Sequence, residues 1–273
     1  TAEAGPAGAI GVSLYDQWAG SPLGYAYGPG TGKGGDAWLS MPEPNNVQSE
    51  TSLKVLTMHE LGHSVGLKHP FDSGGRFLTD FGYPDHREYA IMSYTRNPEW
   101  EIDGVSSSST TQEYSVKPST MALADIAALQ FMYGVNYNTR AGDTVYTYSN
   151  TVPFFKTLWD GGGNDTIDIA NFQFSSTVDL RQGQFSSLRF AQADPDTSSD
   201  TNYWGNRNLS IAYKAIIENA IGGAGGDTLI GNEVNNALTG GAGNDTLTGG
   251  AGNDQARYSG NKADYTLTKI SNT

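Results

Sequence analysis

Short runs of strand-forming residues, broken by Gly and Pro, open the chain: Ile10–Tyr15, Gly24–Tyr27 and Asp36–Met41 each read as a β-strand. The period then changes. Across Ser52–Leu67 the apolar positions Leu53, Leu56, Leu61 and Val65 predict a helix. A second helix is predicted over Ser119–Tyr133 from Met121, Ile126, Leu129, Phe131 and Met132, with Gly134 placed to stop it. Between the helices lies a long irregular stretch, and its run Ser106–Thr111 reads as surface loop.

Beyond residue 135 neither period holds, and a nine-residue unit takes over. Gly222–Ile230 reads GGAGGDTLI, Gly231–Thr239 GNEVNNALT, Gly240–Thr248 GGAGNDTLT and Gly249–Arg257 GGAGNDQAR, while DGGGNDTID stands earlier at Asp160–Asp168. Such a repeat predicts a parallel β-roll with a full turn of about 18 residues, so copies two apart stack. Stacking brings Asp227 near Asp245 and Asn236 near Asp254, and leaves Leu229, Leu238 and Leu247 to fill a thin core. Carboxylates held this close repel unless a cation lies between them. Ca²⁺ fits, because it takes six to eight hard oxygens, including carbonyls that Gly-rich loops expose. The Asn236–Asp254 pair has one carboxylate fewer and is expected to bind more weakly.

Composition narrows the partners. The 273 residues carry a net charge of −13, with 35 Gly, no Cys and 4 His. The acidic balance argues against nucleic acid, which needs clustered Lys and Arg. The absence of Cys excludes disulfides and thiolate metal sites. No apolar run is long enough to span a membrane, and Thr1–Ile10 has neither a basic start nor an apolar stretch of the kind a signal peptide carries. Several Ca²⁺ ions would cancel much of the negative charge. Without them the second half is expected to be loosely ordered.

Three of the four histidines fall in His59–His69, which reads HELGHSVGLKH. On a helix His59 and His63 are i and i+4, so both imidazoles share one face and can reach one tetrahedral Zn²⁺. Gly66 can end the helix in a left-handed conformation, turning the chain so that His69 supplies a third ligand. Glu60 stands beside a ligand, within reach of a water at the metal, as a general base should. A fourth position left open marks a catalytic site. His86 reads as an ordinary loop residue. The overlapping stretch Gly62-His63-Ser64-Val65-Gly66 formally matches GxSxG, but that elbow needs a strand, a strained turn and then a helix. Ser64 sits inside a helical pattern instead.

These residues carry a resemblance. HELGHSVGLKH resembles the extended zinc motif of the metzincins, and Ile91-Met92-Ser93-Tyr94 looks like their Met-turn. Pro70 after the third histidine, Tyr94, the nonapeptide repeats, Ala124–Gly134 (ADIAALQFMYG) and Thr139–Tyr146 (TRAGDTVY) resemble the serralysin branch, so the likeness covers nearly the whole chain. It implies a secreted, extracellular endopeptidase acting on protein and peptide substrates, with one catalytic Zn²⁺ and several structural Ca²⁺. By this likeness Glu60 deprotonates the attacking water, Tyr94 donates a hydrogen bond to the oxyanion, and Met92 is a floor beneath the metal. Asp36–Met41 corresponds to the edge strand that an extended peptide joins, although its own pattern equally suits a buried strand. An earlier calcium set is implied: carbonyls of Arg140, Gly142 and Thr144 with Asp160, Gly162 and Asp165, then Gly163, Asp165 and Glu218. A proteinaceous inhibitor is a further candidate partner.

The expected architecture is therefore an α+β metzincin-like zinc protease domain over residues 1–138, followed by an all-β parallel β-roll over 139–273. Metzincins place a strand, a helix and another strand ahead of Ile10–Tyr15, and Asn261–Thr273 reads as the start of a further strand region. Both departures suggest a fragment, with the remainder of the protease on the same or another chain. A second reading follows: a calcium-dependent adhesive or structural module whose protease half is incomplete or vestigial. The complete set His59, Glu60, His63, His69 and Tyr94 favours the enzyme. The short N-terminal region favours the module.

Overall fold

The computed structural model describes residues 10, 12–16, 24–30, 35–41, 50–72, 82–95, 101–102, 106–107, 110–111, 114–190 and 205–258. The strand region expected at Asn261–Thr273 lies outside these. The first elements form a three-stranded sheet. β1 (Val12–Asp16) runs parallel to β3 (Ala37–Met41), and β2 (Gly24–Ala26) runs antiparallel to it, in the order β1-β3-β2. β3 is thus the middle strand, paired on both sides, with Ala37 and Leu39 buried. The edge strand expected at Asp36–Met41 is corrected accordingly: its backbone groups are already spent on two neighbours, and the antiparallel edge beside the first helix is β2.

That helix, α1 (Glu50–Ser64), packs across β2 and β3. Its end is a complete C-terminal motif. Gly66 takes φ +96°, its N–H donates to the His63 carbonyl (2.9 Å), and the Leu67 N–H donates to the Gly62 carbonyl (2.9 Å). The chain reverses there, as expected, and Val55 and Leu67 close on Ile91 and Met92 in a small core.

Two short antiparallel pairings follow, β4 (Glu101–Ile102) and β5 (Ser106–Ser107), with β6 (Thr110–Thr111) joining β5 and β7 (Tyr114–Ser115) joining β4. The ends of the run Ser106–Thr111 are therefore laddered strand rather than the expected loop. α2 (Leu123–Tyr133) ends at Gly134, whose N–H donates to the Gln130 carbonyl (3.0 Å). It begins after the predicted Ser119 because Ser119 and Thr120 bond sideways instead. The Ser119 N–H donates to the Phe155 carbonyl (3.0 Å), and the Thr120 hydroxyl accepts from the Thr157 N–H (2.8 Å).

The remainder is built from short strands, parallel except for β12, which runs antiparallel to β13: β8 (Val145–Thr147), β9 (Lys156–Leu158), β10 (Thr166–Asp168), β11 (Thr177–Asp179), β12 (Phe185–Ser186) and β13 (Leu209–Ile211). β14 (Asn219–Ile221), β15 (Thr228–Ile230), β16 (Ala237–Thr239), β17 (Thr246–Thr248) and β18 (Gln255–Arg257) continue the series. One sheet runs β18-β16-β14-β10-β8 and another β11-β15-β17, while β13 lies between β12 and β9. Copies two apart do stack. Thr228 pairs with Thr246 and Leu229 with Leu247, and Ala237 pairs with Gln255. Leu229 and Leu238 are buried with Ile167, Val178 and Ala220 in one core, against which Leu247 packs. No helix among the described residues is long and apolar enough to cross a membrane.

Candidate metal centre

His59 and His63 lie one turn apart on α1, and the reversal at Gly66 returns His69 to the same place. Each ring is aimed by an acceptor at its far nitrogen. His59 Nδ1 donates to the Ile91 carbonyl (3.0 Å) and His63 Nδ1 to the Leu67 carbonyl (2.9 Å). His69 Nδ1 faces Asp72 Oδ2 at 3.2 Å. A carbonyl or carboxylate can only accept, so each Nδ1 carries the proton and each Nε2 presents a lone pair. Those lone pairs converge: His69 Nε2 lies 3.2 Å from His59 Nε2 and 3.0 Å from His63 Nε2. Three lone pairs cannot satisfy one another, but they suit a cation. Tetrahedral zinc with bonds of about 2.0–2.1 Å requires donor separations of about 3.3–3.4 Å. Burial lowers His59 to about 4, and burial also lowers His63, so both rings are neutral and available for ligation at neutral pH.

Glu60 is 5% exposed, and burial pushes it up to about 7, the range in which a carboxylate can both take and return a proton. Strand β2 passes directly beside it. A Cβ at Gly24 would sit 2.8 Å from Glu60 Cγ and Oε1, so only glycine lets the edge strand run this close. Tyr94 lies over the site, its ring centroid 4.7 Å from that of His69 and 5.5 Å from that of His59. It is 58% exposed, so it is no packed floor. Burial and the charges of Glu60 and Asp72 raise its pKa, which keeps the hydroxyl protonated as a donor. Met92, 1% exposed, is buried with Val55 and Leu67. Ser64 is helical and buried, and its hydroxyl donates to the Glu60 carbonyl (3.1 Å), which leaves no nucleophile elbow. His86 stands outside the histidine group.

Three participants were not anticipated. Phe71 stacks on His69 (4.9 Å, 5° between planes), and Asp72 holds the same ring by its edge. Asp125 is buried in the first turn of α2, where its Oδ2 accepts from the Ile91 N–H (2.6 Å) and the Ala122 N–H (3.0 Å). It thereby ties the turn that aims His59 to the second helix. Burial pushes Asp125 up to about 7 despite those donors. The one signal in the sequence is an acid between Ala124 and Ile126 in an otherwise apolar turn.

A second set of polar groups gathers in the roll. Asp160 and Asp165 are buried, and Glu218 Oε2 accepts from the Asp165 N–H (2.7 Å). Asp165 Oδ1 accepts from the Thr144 N–H (2.8 Å), while its Oδ2 is buried with no hydrogen-bond partner among the described residues. Asp160 Oδ1 accepts from the Gly162 N–H (2.7 Å), its other oxygen takes the Tyr146 hydroxyl, and Gly163 lies against the backbone of Gly142. Burial and the charges of Asp160 and Glu218 push Asp165 up to about 6, and burial also raises Glu218. An orphaned carboxylate oxygen among crowded acids fits a hard divalent cation. Arg140, at φ +51°, turns its guanidinium to the Trp159 carbonyl (3.3 Å) rather than to the acids.

In the repeats, Asp245 Oδ1 accepts from the Asp227 N–H (2.8 Å) and Asp254 Oδ1 from the Asn236 N–H (2.9 Å), so both expected pairs are adjacent. They differ in filling. Asp227 is raised by burial and by Asp245. Asn236 instead donates its amide to the Glu218 carbonyl (3.0 Å).

The family model for the peptidase M10 serralysin C-terminal region matches residues 124–269, and the matrixin model of peptidase M10 matches residues 14–93. The chain is 36% identical over 241 residues to metallopeptidase AprA of Pseudomonas marginalis, covering 76% of this chain and 44% of that protein. It is 34% identical over 247 residues to serralysin of Proteus mirabilis, covering 81% and 44%. It is 37% identical over 230 residues to a serralysin C of Dickeya chrysanthemi, covering 76% and 42%. The chain thus spans less than half the length of the curated relatives it matches.

Proposed function

Because the chain belongs to the serralysin-type M10 metallopeptidases, we propose that it carries the catalytic centre of a zinc-dependent endopeptidase. His59, His63 and His69 hold the metal and Glu60 is the general base. The observation that carries this reading is the convergence of three Nε2 atoms, with the buried carboxylic side chain of Glu60 next to His59 on the same helix. Zinc bound there supplies a Lewis acid that polarises a peptide carbonyl and acidifies water. Glu60 takes the proton of the attacking water and returns it to the departing amine. The Tyr94 hydroxyl donates to the oxyanion as it forms. An extended peptide adds to the free edge of β2, which runs past Glu60 at Gly24. No deep charged pocket is legible in the sequence, so the expected substrates are protein segments of broad sequence.

The division falls near residue 138, with the protease centre before it and a calcium-stabilised roll after it. Asp160, Asp165 and Glu218, with carbonyls of Arg140, Gly142, Thr144, Gly162 and Gly163, hold the first ions. The pair Asp227 and Asp245 holds another, and Asn236 with Asp254 a weaker one. A fold that waits for calcium suits secretion into a calcium-rich medium. The alternative, a calcium-dependent adhesive module, lacks the support that an intact Glu60 and histidine set provides.

Caseinolysis with metal analysis, on wild type and Glu60→Ala in millimolar calcium, tests the reading. About one zinc per chain is expected. Activity should be present in wild type and lost in Glu60→Ala with zinc retained. Zinc bound with no activity in either protein overturns the enzyme in favour of the module.

A further inference from the structure

Arg207 is one of three non-glycine residues among those described with positive φ (+50°), a conformation that persists only where the surroundings over-determine it. The roll does so from both sides. The Arg207 N–H donates to Ser187 Oγ (3.0 Å). Before it, Gly205 takes φ +84°, where a Cβ would meet the Leu188 carbonyl oxygen at 2.1 Å. After it, the fully buried Asn208 brackets Leu188, accepting from its N–H (2.9 Å) and donating to its carbonyl (3.0 Å).

The side chain so presented leaves the roll. Its Nε donates to Glu88 Oε1, its Nη2 donates to Tyr89 Oη (2.7 Å), and its guanidinium lies 4.2 Å from the Phe185 ring centroid. Glu88 is 4% exposed, and a carboxylate is buried that deeply only when its charge is matched. Three residues further on is Ile91, the acceptor that aims His59. The Tyr89 carbonyl accepts from the Ala124 N–H (2.7 Å), so the turn is gripped by α2 on one side and by Arg207 on the other.

We propose that Arg207 is a positioning residue for the metal centre: it fixes Glu88 and Tyr89, and thereby the Ile91 carbonyl that orients His59. The proposal rests on the zinc reading of the histidines. It makes the roll part of the catalytic apparatus, since the group that steadies the turn is seated in the roll. Losing a partner that orients a ligand, as the Ile91 carbonyl does His59, costs about 10–100-fold in metal affinity, and Arg207, which acts on that carbonyl through the turn, falls at the low end.

The test uses the full chain in saturating calcium and compares wild type with Arg207→Ala, Arg207→Lys, Glu88→Gln and the double variant Glu88→Gln/Arg207→Ala. Zinc affinity is measured by chelator competition, ligand geometry by the visible absorption of the cobalt(II)-substituted protein, and the turn by hydrogen exchange at the Ile91 and Ala124 amides. Arg207→Ala should weaken zinc about tenfold, shift the cobalt bands and speed exchange at both amides, with far-UV circular dichroism unchanged. Arg207→Lys should recover part of the loss. Glu88→Gln, which keeps size and an acceptor for Arg207 but removes the charge, should lose less than Arg207→Ala, and the double variant should be no worse than Arg207→Ala alone. Wild-type exchange at the turn in Arg207→Ala overturns the proposal, whether or not the chain binds zinc. So does a double variant in which the two losses simply multiply.

Discussion

The two halves of the molecule each crowd metal-binding groups together, and they do it by opposite means. At the histidine centre the groups are imidazoles, and each is aimed by its own acceptor: the carbonyls of Ile91 and Leu67 and the carboxylate of Asp72. The scaffold behind them is a helix end and a turn pinned by Asp125. In the roll the groups are charged, arrive at a fixed interval, and are aimed by backbone N–H groups of the next rung. Neutral imidazoles can wait for a metal, because lone pairs repel weakly. Buried carboxylates cannot, because each charge taken from water must be matched. On the function proposed above, the first half stands without its metal and the second depends on its own.

The sharpest way to break this comparison is to remove each cation in turn. Calcium chelation should loosen the roll and lower its melting temperature by more than about 10 °C, since several sites are linked to folding at once. Zinc chelation should leave the far-UV spectrum unchanged while abolishing activity. Equal responses to the two chelators would sink the distinction.

Next in size is Asp125→Ala. It strands the Ile91 and Ala122 N–H groups in a buried place, at about 3 kcal/mol for the two. Denaturant unfolding should show that loss together with weaker zinc binding. Asp125→Asn keeps an acceptor and should lose less. If Asp125→Ala lowers stability but leaves zinc affinity untouched, the turn does not govern His59.

Gly24→Ala tests the edge strand. The added methyl would lie 2.8 Å from Glu60 Oε1 and must displace either the carboxylate or β2. Activity should fall about tenfold, equivalent to about 1.4 kcal/mol of barrier, with zinc content unchanged. Retained activity would mean that β2 does not pass the working carboxylate.

How far these features were legible depends on where the information lies. Histidine spacing, the left-handed stop at Gly66 and the stacking of copies two apart are local or periodic, and all were readable in one dimension. Strand order was not. Ala37 and Leu39 alternate as a half-buried edge strand would, and only the pairing of β3 with both β1 and β2 shows that it is central. Ser119 and Thr120 look like helix-capping residues, yet their bonds go to the roll at Phe155 and Thr157. Asp125 and Arg207 escaped for the same reason. Each acts on a residue more than thirty positions away, Asp125 on Ile91 and Arg207 on Glu88, and no pattern in its own neighbourhood announces the partner.

A smaller effect separates the halves by pH. Asp165 sits at about 6 against an ordinary 3.8, raised mainly by burial. A raised carboxylate contributes stability that is fully present below its unfolded value and is lost as pH rises through about 6. The calcium-free roll should therefore melt higher at pH 5 than at pH 7. With calcium the sign reverses, because the ion needs the ionised form and protons compete for it below about 6. Melting temperature should fall from pH 5 to pH 7 in chelator and rise over the same interval in calcium, so the two trends diverge. Parallel trends would show that Asp165 holds no ion.

The smallest change addresses the roll against itself. Asp227 turns two carboxylate oxygens to the N–H groups of Ser176 and Gly223 and faces Asp245 across the rung. Asn236 occupies the equivalent place, but its amide donates to the Glu218 carbonyl and to Asn232 Oδ1. A donor pointed at two oxygens does what a cation would do there, and it does so at any calcium concentration. Asn236→Asp replaces that donor with a charge facing Asp254, and removes its bonds to the Glu218 carbonyl and Asn232 Oδ1, which keep the N–H groups of Ala237 and Val234. In calcium-free buffer the variant should be less stable than wild type by about 1 kcal/mol, the worth of one buried hydrogen bond. In calcium it should recover and bind more tightly at this rung, because carboxylate count sets affinity in oxygen sites. Isothermal titration of both proteins reads the difference directly. A variant with wild-type calcium affinity and wild-type stability in chelator would mean that the rung is held by its backbone ladder alone, and that its amide had replaced nothing.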